Sequence, residues 1–525
     1  MARNNKEKNK PVIGMDFGNC YSFLSYISDF DGKTRLGGNV HDLLPSGLNE
    51  GIPSVFFYSK AAGTLCGETA VRGRAKPVQN RINRLKRHLG ETMTLDGREI
   101  SYDEAITEVI QHCVRSASGW QMTTNEIALS YPATYTSAQR QRLIELAEKA
   151  SLADGTQVHV SGTIAEPAAA GLDYLSRFGS DKETTVLVYD LGGGTFDLAL
   201  VALYPKGRTN GDGDYYYDIL AVDGLEDVGG GEFDEIMYQL IEQKLQVPLN
   251  PSHKAALRAE AEKIKKDLTF DAYADAEVLY NNEYLTVRVT REEFETASRE
   301  LLMRTIEATK KMFERHSNQK PETIILTGGA SQMPMVKRAL EEAFPEYKGD
   351  EMKHKEDKIQ ISNPSRAIAD GAARYGTAEA MNDIAEKAEA ASVVQTRVGY
   401  DLGIRFYHSV DDESGYISTY IPAGTPIPYQ AAYQNSTTLH EDQRYSGFTV
   451  YEANKAHPDS EQVAEDYTEI MKVSLDHGRE VPKGTRNESR LCIDKLGVLT
   501  IEAREADHPE KPIKSTVELK NLSKS

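Results

Sequence analysis

The feature that most constrains the fold of this chain is a short apolar run that ends in Asp-X-Gly and turns back, and it occurs twice. The first copy spans residues 12–19 and the second spans residues 186–197. Two strands that each end in a carboxylate followed by glycines can bring backbone N–H groups against phosphates from two sides. Asp16 and Asp190 can then orient the water shell of a cation. A third glycine turn, 326–331, also follows an apolar run, so the pattern predicts a clamp for ATP and Mg²⁺.

Composition narrows the class of protein. The chain has 525 residues, 39% of them hydrophobic, enough for about two to four domains of roughly 150 residues each. No apolar run approaches the ~20 residues that span a bilayer, and the polar start, Met1 to Lys10, has no signal core, so we expect a cytoplasmic protein. The net charge of −19 disfavours nucleic acid and membranes as partners. The basic stretch Arg81–Arg87 therefore needs a local explanation.

The cysteines do not form a recognisable framework. Four are scattered along the chain without pairwise spacing: Cys20, Cys66, Cys113 and Cys492. This pattern suits a reducing compartment and argues against a disulfide framework or a metal cluster. Cys20 falls in the first phosphate turn, where we interpret it as a spectator rather than a redox switch.

Up to about residue 380 the chain alternates strand-like and helix-like runs, which is typical of layered α/β domains. Ser101 begins a helix as a capping box, and its apolar stripe is Ile106, Val109, Ile110, Cys113 and Val114. Further helices are predicted from Ser137 and Pro167, and over 251–268, 291–316 and 363–391; a strand is predicted over 127–131. A hairpin over 277–289, turning at Asn281–Asn282, predicts a small inserted subdomain.

After Gln395 the pattern changes to short alternating stretches divided by Gly, Pro and Asp turns, which predicts a β domain. The predicted strands are 416–421, 447–451, 470–475, 490–493 and 498–503. We therefore expect a first domain over 1–384, a linker over 385–397 and a β domain over 398–525. The charged stretch 346–357 is predicted to be a solvated loop.

Six motifs carry a resemblance to a known family. They are Asp16-Phe17-Gly18, Tyr131-Pro132-Ala133 with Ser137 to Arg140, Glu166-Pro167 with its alanines, Asp190 to Asp197, Gly229 to Asp234, and Asn363-Pro364 to Ala373. In this order they resemble the ATPase domain of the 70-kDa heat-shock chaperones, the DnaK-like family. Leu402-Gly403-Ile404 and Gly424 to Pro428 resemble its substrate-binding β-subdomain. The resemblance implies an α/β actin-like ATPase domain of two lobes, followed by an all-β sandwich that lacks the family's helical lid.

The resemblance also implies roles for particular side chains. The catalytic set is Asp16, Lys86, Glu166, Asp190, Thr195 and Asp197. Asp16 and Asp190 would hold Mg²⁺ through water, Lys86 would contact phosphate, and Glu166 would lie near the metal and the attacking water. The nucleotide-binding set is Gly18, Asn19, Cys20, Tyr21, Gly192, Gly193, Gly194, Gly229, Gly230, Glu262, Lys265, Lys266, Thr269, Gly328, Gly329, Ala330 and Gln332.

Each of these residues has a simpler structural interpretation that the sequence leaves open. The aspartates and Thr195 can be turn caps, and Lys86 can belong to a solvated basic face. Glu166 also complements the positive end of a helix. The glycines can be ordinary turn residues. Residues 262–269 are also the polar side of an amphipathic helix.

The chain departs from the family pattern around the nucleotide. Asn19-Cys20 stands where the family has two threonines, and Gly231 stands where it has a ribose-binding carboxylate. Gln332 replaces an arginine expected against adenine, and Ser365 replaces an aspartate. These changes predict altered or weaker binding of the nucleoside, while the residues needed for hydrolysis remain.

Communication with partners is predicted from further matches and departures. Pro132 and Arg140 match the family's proline switch and relay arginine, which implies an allosteric role; a strand-ending proline and a surface arginine are the alternative. The linker residues 392–396 lack the usual apolar run. Gly162, Ala165 and Ala168 replace the family's J-domain docking residues, which argues against a J-domain partner. A nucleotide-exchange factor is a further partner that the resemblance implies.

Four residues approximately match the family's peptide pocket: Ile404, Tyr407, Phe448 and Val450. A sheet face with loops above it can hold an extended peptide through main-chain hydrogen bonds and a side-chain pocket. The alternative is that these residues belong to an ordinary β core.

The function expected from the sequence is a lidless Hsp70-like chaperone that hydrolyses ATP slowly and couples this to binding of unfolded polypeptide. One alternative is a nucleotide-sensing scaffold that binds one dedicated partner with little turnover. Further alternatives are a filament-forming actin relative and a small-molecule kinase, and the β tail and the Gly229 to Asp234 motif disfavour the kinase.

Overall fold

A computed structural model describes residues 11–29, 36, 38–45, 47–48, 50–72, 77–119, 121–179, 182–205, 215–280, 283–349, 356–362, 365–385, 394–412, 414–453 and 467–516. The chain divides into two compact units. The first comprises 1–134, 146–218 and 222–394, and the second comprises 135–145, 219–221 and 395–525. Most of the predicted linker, residues 386–393, lies outside the described residues, as do the predicted turn Asn281–Asn282 and the motif residues Asn363 and Pro364.

The first unit is a mixed α/β structure, as predicted. Its strands are β1 (Ile13–Phe17), β2 (Tyr21–Ser28), β3 (Asn39–Asp42), β4 (Ile52–Pro53), β5 (Phe56–Ser59), β6 (Gly63–Cys66), β7 (Arg81–Ile82), β8 (Thr92–Leu95), β9 (Arg98–Ser101), β10 (Glu126–Tyr131), β11 (His159–Ala165), β12 (Thr184–Leu191), β13 (Phe196–Pro205), β14 (Tyr215–Leu225), β15 (Tyr273–Tyr280), β16 (Glu283–Thr290), β17 (Thr323–Thr327), β18 (Ile359–Ile361) and β19 (Val394–Gln395). Its helices are α1 (Glu68–Val71), α2 (Tyr102–Ser118), α3 (Ser137–Glu148), α4 (Glu166–Phe178), α5 (Gly230–Leu245), α6 (Pro251–Phe270), α7 (Arg291–Arg315), α8 (Pro334–Ala343) and α9 (Ala367–Ala385), although α3 extends into the second unit.

The helix and strand signals in the sequence correspond closely to these elements. The Ser101 hydroxyl accepts a hydrogen bond from the Glu104 backbone N–H at 3.0 Å at the start of α2. All five residues of the predicted apolar stripe on α2 are buried. Helices α6 and α7 match the predicted ranges within two residues, and β15 pairs with β16 as the predicted hairpin. These local signals are therefore confirmed.

Two six-stranded sheets of the first unit have the same order over five of their strands. One has the order β11-β10-β1-β2-β3, with β4 beside β2, and the other has the order β18-β17-β12-β13-β14-β19. In each, a strand carrying one of the two Asp-X-Gly motifs, β1 or β12, pairs antiparallel with the next strand and parallel with a later one. The sequence duplication thus corresponds to a duplication of the sheet.

Helices α4 and α9 link the two sheets, because each follows a strand of one sheet and packs on the other. Helix α4 follows β11 of the first sheet and packs on β12 and β13 of the second, whereas α9 follows β18 and packs on β1, β2 and β10. The two helices also pack against each other, and buried Arg374 bonds Asp173 at 3.0 Å between them. At this crossing a Cβ on Gly371 would lie 1.8 Å from the carbonyl oxygen of Ala169. The backbones therefore approach as closely as glycine allows.

The described part of the second unit is built mainly of antiparallel sheets. Its strands are β20 (Leu402–Phe406), β21 (Tyr416–Ile421), β22 (Tyr429–Gln430), β23 (Gln434–Thr437), β24 (Gln443–Ala453), β25 (Tyr467–Val481), β26 (Arg486–Ile493), β27 (Leu499–Glu505) and β28 (Ile513–Thr516). The sheet orders are β21-β20-β24-β25 and β22-β26-β27-β28, with β23 beside β26. One core contains Leu402 and Val450 from the first sheet and Leu491 and Ile501 from the second. Among the described residues from 398 to 516 the regular elements are strands, in agreement with the predicted β domain.

Two further sequence expectations can be compared with the structure. All four cysteines are free. No helix in the described part of the chain is long and apolar enough to cross a membrane.

The α4–α9 crossing gives a direct test of packing. Gly371→Ala should lower the free energy of unfolding of the first unit by about 3 kcal/mol, because the added methyl group collides with backbone, although alanine is the better helix former. Thermal or urea unfolding followed by far-UV circular dichroism measures the change. Gly447→Ala is the control, since its Cβ would meet no atom within 4 Å. Equal stability of Gly371→Ala and wild type would contradict this packing.

Candidate nucleotide site

The predicted catalytic side chains come from five different elements of the first unit. Asp16 lies near the end of β1, Asp190 lies near the end of β12, and Asp197 is the second residue of the neighbouring strand β13. Glu166 is the first residue of α4, and Lys86 lies in a 3-10 turn over Leu85–His88. All five are buried. The fold thus brings four carboxylates and one ammonium group together in the interior.

Hydrogen bonds fix the carboxylates. Asp197 accepts bonds from the Thr195 hydroxyl at 2.6 Å and from the Ala133 backbone N–H at 2.7 Å. Asp16 accepts a bond from the Ser130 hydroxyl at 3.2 Å. Asp190 Oδ1, in contrast, is buried without a hydrogen-bond donor among the described residues. One carboxylate oxygen in this cluster is therefore left for a group from outside the protein.

Lys86 and Glu166 form a direct ion pair inside the cluster. The lysine is 2% exposed, and its ammonium group also lies 5.9 Å from the centre of the Phe17 ring. Burial of a charged lysine is costly unless a carboxylate compensates it. Glu166 supplies that compensation here, so the pair is held in one geometry by burial and charge together.

The remaining carboxylates hold protons unusually well. Burial raises the pKa of Asp16 to about 7, and the negative charge of Glu166 adds to the shift while Lys86 opposes it. Burial also raises the pKa of Asp197 to about 7, and the negative charge of Glu166 adds to this shift. Burial and the charge of Asp197 raise the pKa of Asp190 well above its usual range. The cluster has more negative charge than Lys86 can neutralise.

The predicted glycine turns meet beside this cluster. A Cβ on Gly193 would lie 2.4 Å from Cys20 Sγ, and one on Gly194 would lie 2.4 Å from Asn19 Nδ2, so the first and second turns are in contact. The Gly230 N–H donates to the Gly192 carbonyl at 2.8 Å. Gly328 has φ of +78°, and its Cβ would lie 2.4 Å from Asp190 Oδ1. Glycine is therefore required for these close approaches.

The residues predicted to contact the nucleoside lie on α6 and near it. Lys265 is buried, forms an ion pair with Asp234 at 2.6 Å and donates to the Gly230 carbonyl at 2.9 Å. Lys266 pairs with Glu262 at 2.9 Å and lies 5.9 Å from the centre of the Tyr21 ring. Gly18 lies in the turn between β1 and β2, Gly229 caps α5, and Thr269 lies near the end of α6. Gly329, Ala330 and Gln332 form the 3-10 turn after β17.

Arginines that the sequence interpretation did not place in the site lie at its edge. Arg84 bonds Asp234 at 2.7 Å, and Arg87 pairs with Glu232 on the first turn of α5. These pairs give the basic stretch Arg81–Arg87 the local explanation that the acidic chain required. The basic stretch was the feature of the sequence that could have pointed to these arginines. Its spacing could not identify their acidic partners, which lie about 150 residues further along the chain.

The donor set is suited to a hydrated divalent cation. Three crowded aspartates with raised pKa values and one unpartnered Asp190 oxygen would all be stabilised by positive charge. Within the described ranges, no three His, Cys, Asp or Glu side chains come together as a direct metal cage. Asp16 and Asp190 would therefore hold a Mg²⁺ ion through its water molecules, which is the arrangement expected for magnesium with phosphates.

The remaining predicted residues lie outside this cluster. Pro132 is buried directly before Ala133, whose N–H bonds Asp197. Arg140 lies in the segment assigned to the second unit, where its guanidinium donates to the Gly497 carbonyl. Of the predicted peptide residues, Ile404, Phe448 and Val450 are buried in the β core, whereas Tyr407 is 43% exposed. The structure thus does not bring these four side chains to one surface.

Comparisons with known proteins agree with this description. The family model described as Hsp70 protein matches residues 95–524. The chain is 28% identical to the chaperone protein DnaK of Thermotoga neapolitana over 473 residues, which cover 86% of this chain and 71% of that protein. It is 26% identical to the chaperone protein DnaK of Thermotoga petrophila over an alignment of 564 residues, gaps included, which covers 98% of this chain and 87% of that protein. It is 27% identical to the chaperone protein DnaK of Thermosipho melanesiensis over 523 residues, which cover 95% and 78%.

The carboxylate cluster predicts an unusual dependence of stability on pH. Asp16 and Asp197 have pKa values near 7 when folded and near 4 when unfolded. The folded state therefore binds more protons between these values, and this part of the stability is present at low pH and lost as pH rises through about 7. In EDTA and without nucleotide, the melting temperature should fall by several degrees between pH 6 and pH 8.

Variants identify the source of this effect. Asp197→Asn should reduce the fall in melting temperature, because the titrating carboxyl is gone while an acceptor oxygen remains. Asp271→Asn, at an exposed position in the same unit, should leave the fall unchanged. A wild-type melting temperature that rises between pH 6 and pH 8, or an Asp197→Asn variant with an unreduced fall, would contradict the electrostatic description.

Proposed function

The chain belongs to the Hsp70 family, and from that premise we propose that it is an ATP-hydrolysing chaperone whose first unit is an actin-like ATPase domain. The observation that carries the proposal is the buried cluster of Lys86, Glu166 and three aspartates next to three glycine turns. Such a cluster matches the needs of phosphoryl transfer, which depends on positioning and charge neutralisation more than on covalent chemistry.

The roles proposed for the side chains follow from their positions. Backbone N–H groups of the turns at Gly18–Tyr21, Gly192–Thr195 and Gly328–Gly329 would bind phosphate oxygens. Mg²⁺, when bound, would neutralise part of the negative charge of the phosphates. The Lys86 ammonium group would neutralise charge at the terminal phosphate, and it is already oriented by Glu166.

Two carboxylates of the cluster are proposed to position water and to accept a proton. Glu166 is the first residue of α4 and would orient the attacking water through its carboxylate. Asp197, whose pKa is raised to about 7 by burial and Glu166, could accept a proton near neutral pH. Its bond to the Ala133 N–H, directly after Pro132, would make the Pro132 region sensitive to the state of the phosphate site.

The β unit is proposed to bind unfolded or extended polypeptide, because the relatives are chaperones by name and because its sheets offer edges and loops for an extended chain. The buried positions of Ile404, Phe448 and Val450 favour a stabilising role for them within the core. Tyr407, at the end of β20, is the member of that set available to a peptide. A nucleotide-exchange factor is a proposed partner; a J-domain partner is not expected.

Steady-state ATP hydrolysis with and without a panel of extended apolar peptides tests the proposal. Wild type should turn over ATP slowly with Mg²⁺, and at least one peptide should stimulate turnover severalfold. Lys86→Ala should abolish hydrolysis, because the phosphate charge is left uncompensated. Hydrolysis that no peptide changes would instead support a nucleotide-sensing scaffold with one dedicated partner, and absence of nucleotide binding would overturn the ATPase proposal itself.

A second prediction separates peptide contact from core packing in the β unit. Tyr407→Ala should weaken binding of a stimulating peptide about tenfold with little change in melting temperature, because this side chain is exposed. Phe448→Ala should lower the unfolding free energy by about 3 to 5 kcal/mol, because it empties a core position. Fluorescence anisotropy of a labelled peptide and thermal unfolding give the two readouts. A Tyr407→Ala variant with unchanged peptide affinity would contradict this assignment.

A further inference from the structure

The edge of the nucleotide site contains a cation in an unusual position. Arg84 adopts a left-handed backbone conformation with φ of 55°, and its backbone N–H donates to the Asn19 carbonyl at 3.1 Å. The arginine backbone is therefore attached directly to the first phosphate turn. Its guanidinium reaches α5, where it bonds Asp234 at 2.7 Å. Both ends of this residue are fixed by the site rather than by solvent.

The guanidinium occupies the space above Gly231. A Cβ on Gly231 would lie 2.2 Å from Arg84 Nη1, 2.4 Å from Cζ and 2.9 Å from Nε. With Arg84 in place, no larger residue than glycine fits at position 231. The space where the sequence resemblance leads one to expect a carboxylate side chain thus contains a positive charge that comes from another segment of the chain.

The surrounding ion pairs leave an excess of positive charge. Asp234 is shared between Arg84 at 2.7 Å and Lys265 at 2.6 Å. The adjoining pairs, Arg87 with Glu232 and Lys266 with Glu262, are balanced. In these pairs four cations therefore face three carboxylates. The Nε–H of Arg84 is also buried without a hydrogen-bond partner among the described residues, so the guanidinium has a donor that is not used.

This cation lies next to the place where a nucleotide would leave the phosphate turns. Lys265 bonds the Gly230 carbonyl at 2.9 Å, and the Gly230 N–H bonds Gly192 of the second turn at 2.8 Å. Burial raises the pKa of the Cys20 thiol in the first turn, and the charges of Glu262, Arg84, Lys265 and Asp234 also influence it. In a nucleotide whose 5′-phosphates lie at these turns, the ribose is the next group along the molecule.

Chemistry decides which ribose substituent suits an arginine. A carboxylate accepts hydrogen bonds from ribose hydroxyl groups, whereas a guanidinium offers donors in a planar fork that fits phosphate oxygens. The same exchange distinguishes unmodified from 2′-phosphorylated ribose in dinucleotide-binding folds. We infer that Arg84 is a specificity-determining residue, which makes this site prefer adenine nucleotides that carry a phosphate on the 2′- or 3′-oxygen of the ribose. The inference rests on the proposed nucleotide-binding function of the site.

Isothermal titration of the full chain with three matched nucleotides tests this inference. AMP, adenosine 2′,5′-bisphosphate and adenosine 3′,5′-bisphosphate differ in one ribose phosphate. At least one bisphosphate should bind about tenfold more tightly than AMP, as expected for one charged hydrogen-bonded contact. The bisphosphate that binds more tightly identifies the oxygen concerned. Both the 2′- and the 3′-compound binding no more tightly than AMP would overturn the inference.

Variants show whether Arg84 is responsible. In Arg84→Gln the affinity ratio of the preferred bisphosphate to AMP should fall to about one, whereas Arg87→Gln, on the same turn but paired with Glu232, should keep the wild-type ratio. The double variant Arg84→Ala with Gly231→Glu should bind the bisphosphates more weakly than AMP, because a carboxylate now occupies the space. A ratio that Arg84→Gln leaves at its wild-type value would overturn the inference.

The result also separates this inference from the function on which it rests. Binding of ATP and ADP with no preference for the bisphosphates would overturn the role of Arg84 and leave the ATPase proposal intact. Failure of wild type to bind ATP, ADP, AMP or either bisphosphate would overturn both.

Discussion

The structure of the first unit depends on the crossing of α4 and α9. Each helix follows one of the two duplicated sheets and packs mainly on the other, so the two helices link the two sheets. The contact of Gly371 with the Ala169 carbonyl and the buried Arg374–Asp173 pair make this crossing close and directional. Because Glu166 is the first residue of α4, the crossing also determines where its carboxylate lies relative to Lys86. The position of the Lys86–Glu166 pair is thus a consequence of how two sheets share two helices.

Electrostatics in the cleft follows from that packing. Four buried carboxylates and one buried lysine are an arrangement that a protein optimised for stability alone would avoid, since burial and mutual repulsion favour the neutral acids. The raised pKa values of Asp16, Asp190 and Asp197 are the result of this burial and of the repulsion between carboxylates. A site with excess negative charge and an unpartnered Asp190 oxygen is prepared for a divalent cation, whose binding would relieve the repulsion.

Local signals in the sequence were reliable where one segment decides the outcome. The Ser101 cap, the stripe on α2 and the two Asp-X-Gly strands all depend on neighbours a few residues away, and the structure confirms them. The exchange of α4 and α9 between sheets depends on tertiary packing, which periodicity does not encode. In the β unit, a period of two identifies an inward face, but it cannot distinguish a core from a binding groove. The sequence therefore left both a pocket and a core open for Phe448 and Val450, and the structure buries both side chains.

Arg84 and Gly231 illustrate what sequence comparison by single positions misses. Considered alone, neither the left-handed conformation of Arg84 nor the glycine at position 231 has an evident role. In space they are one feature, because the guanidinium fills the volume that the glycine leaves open. The arginine is attached through its backbone to the first phosphate turn and through its side chain to α5. The position of the Arg84 charge is therefore set by the first Asp-X-Gly turn and by α5, and Gly231 leaves the space that the guanidinium occupies.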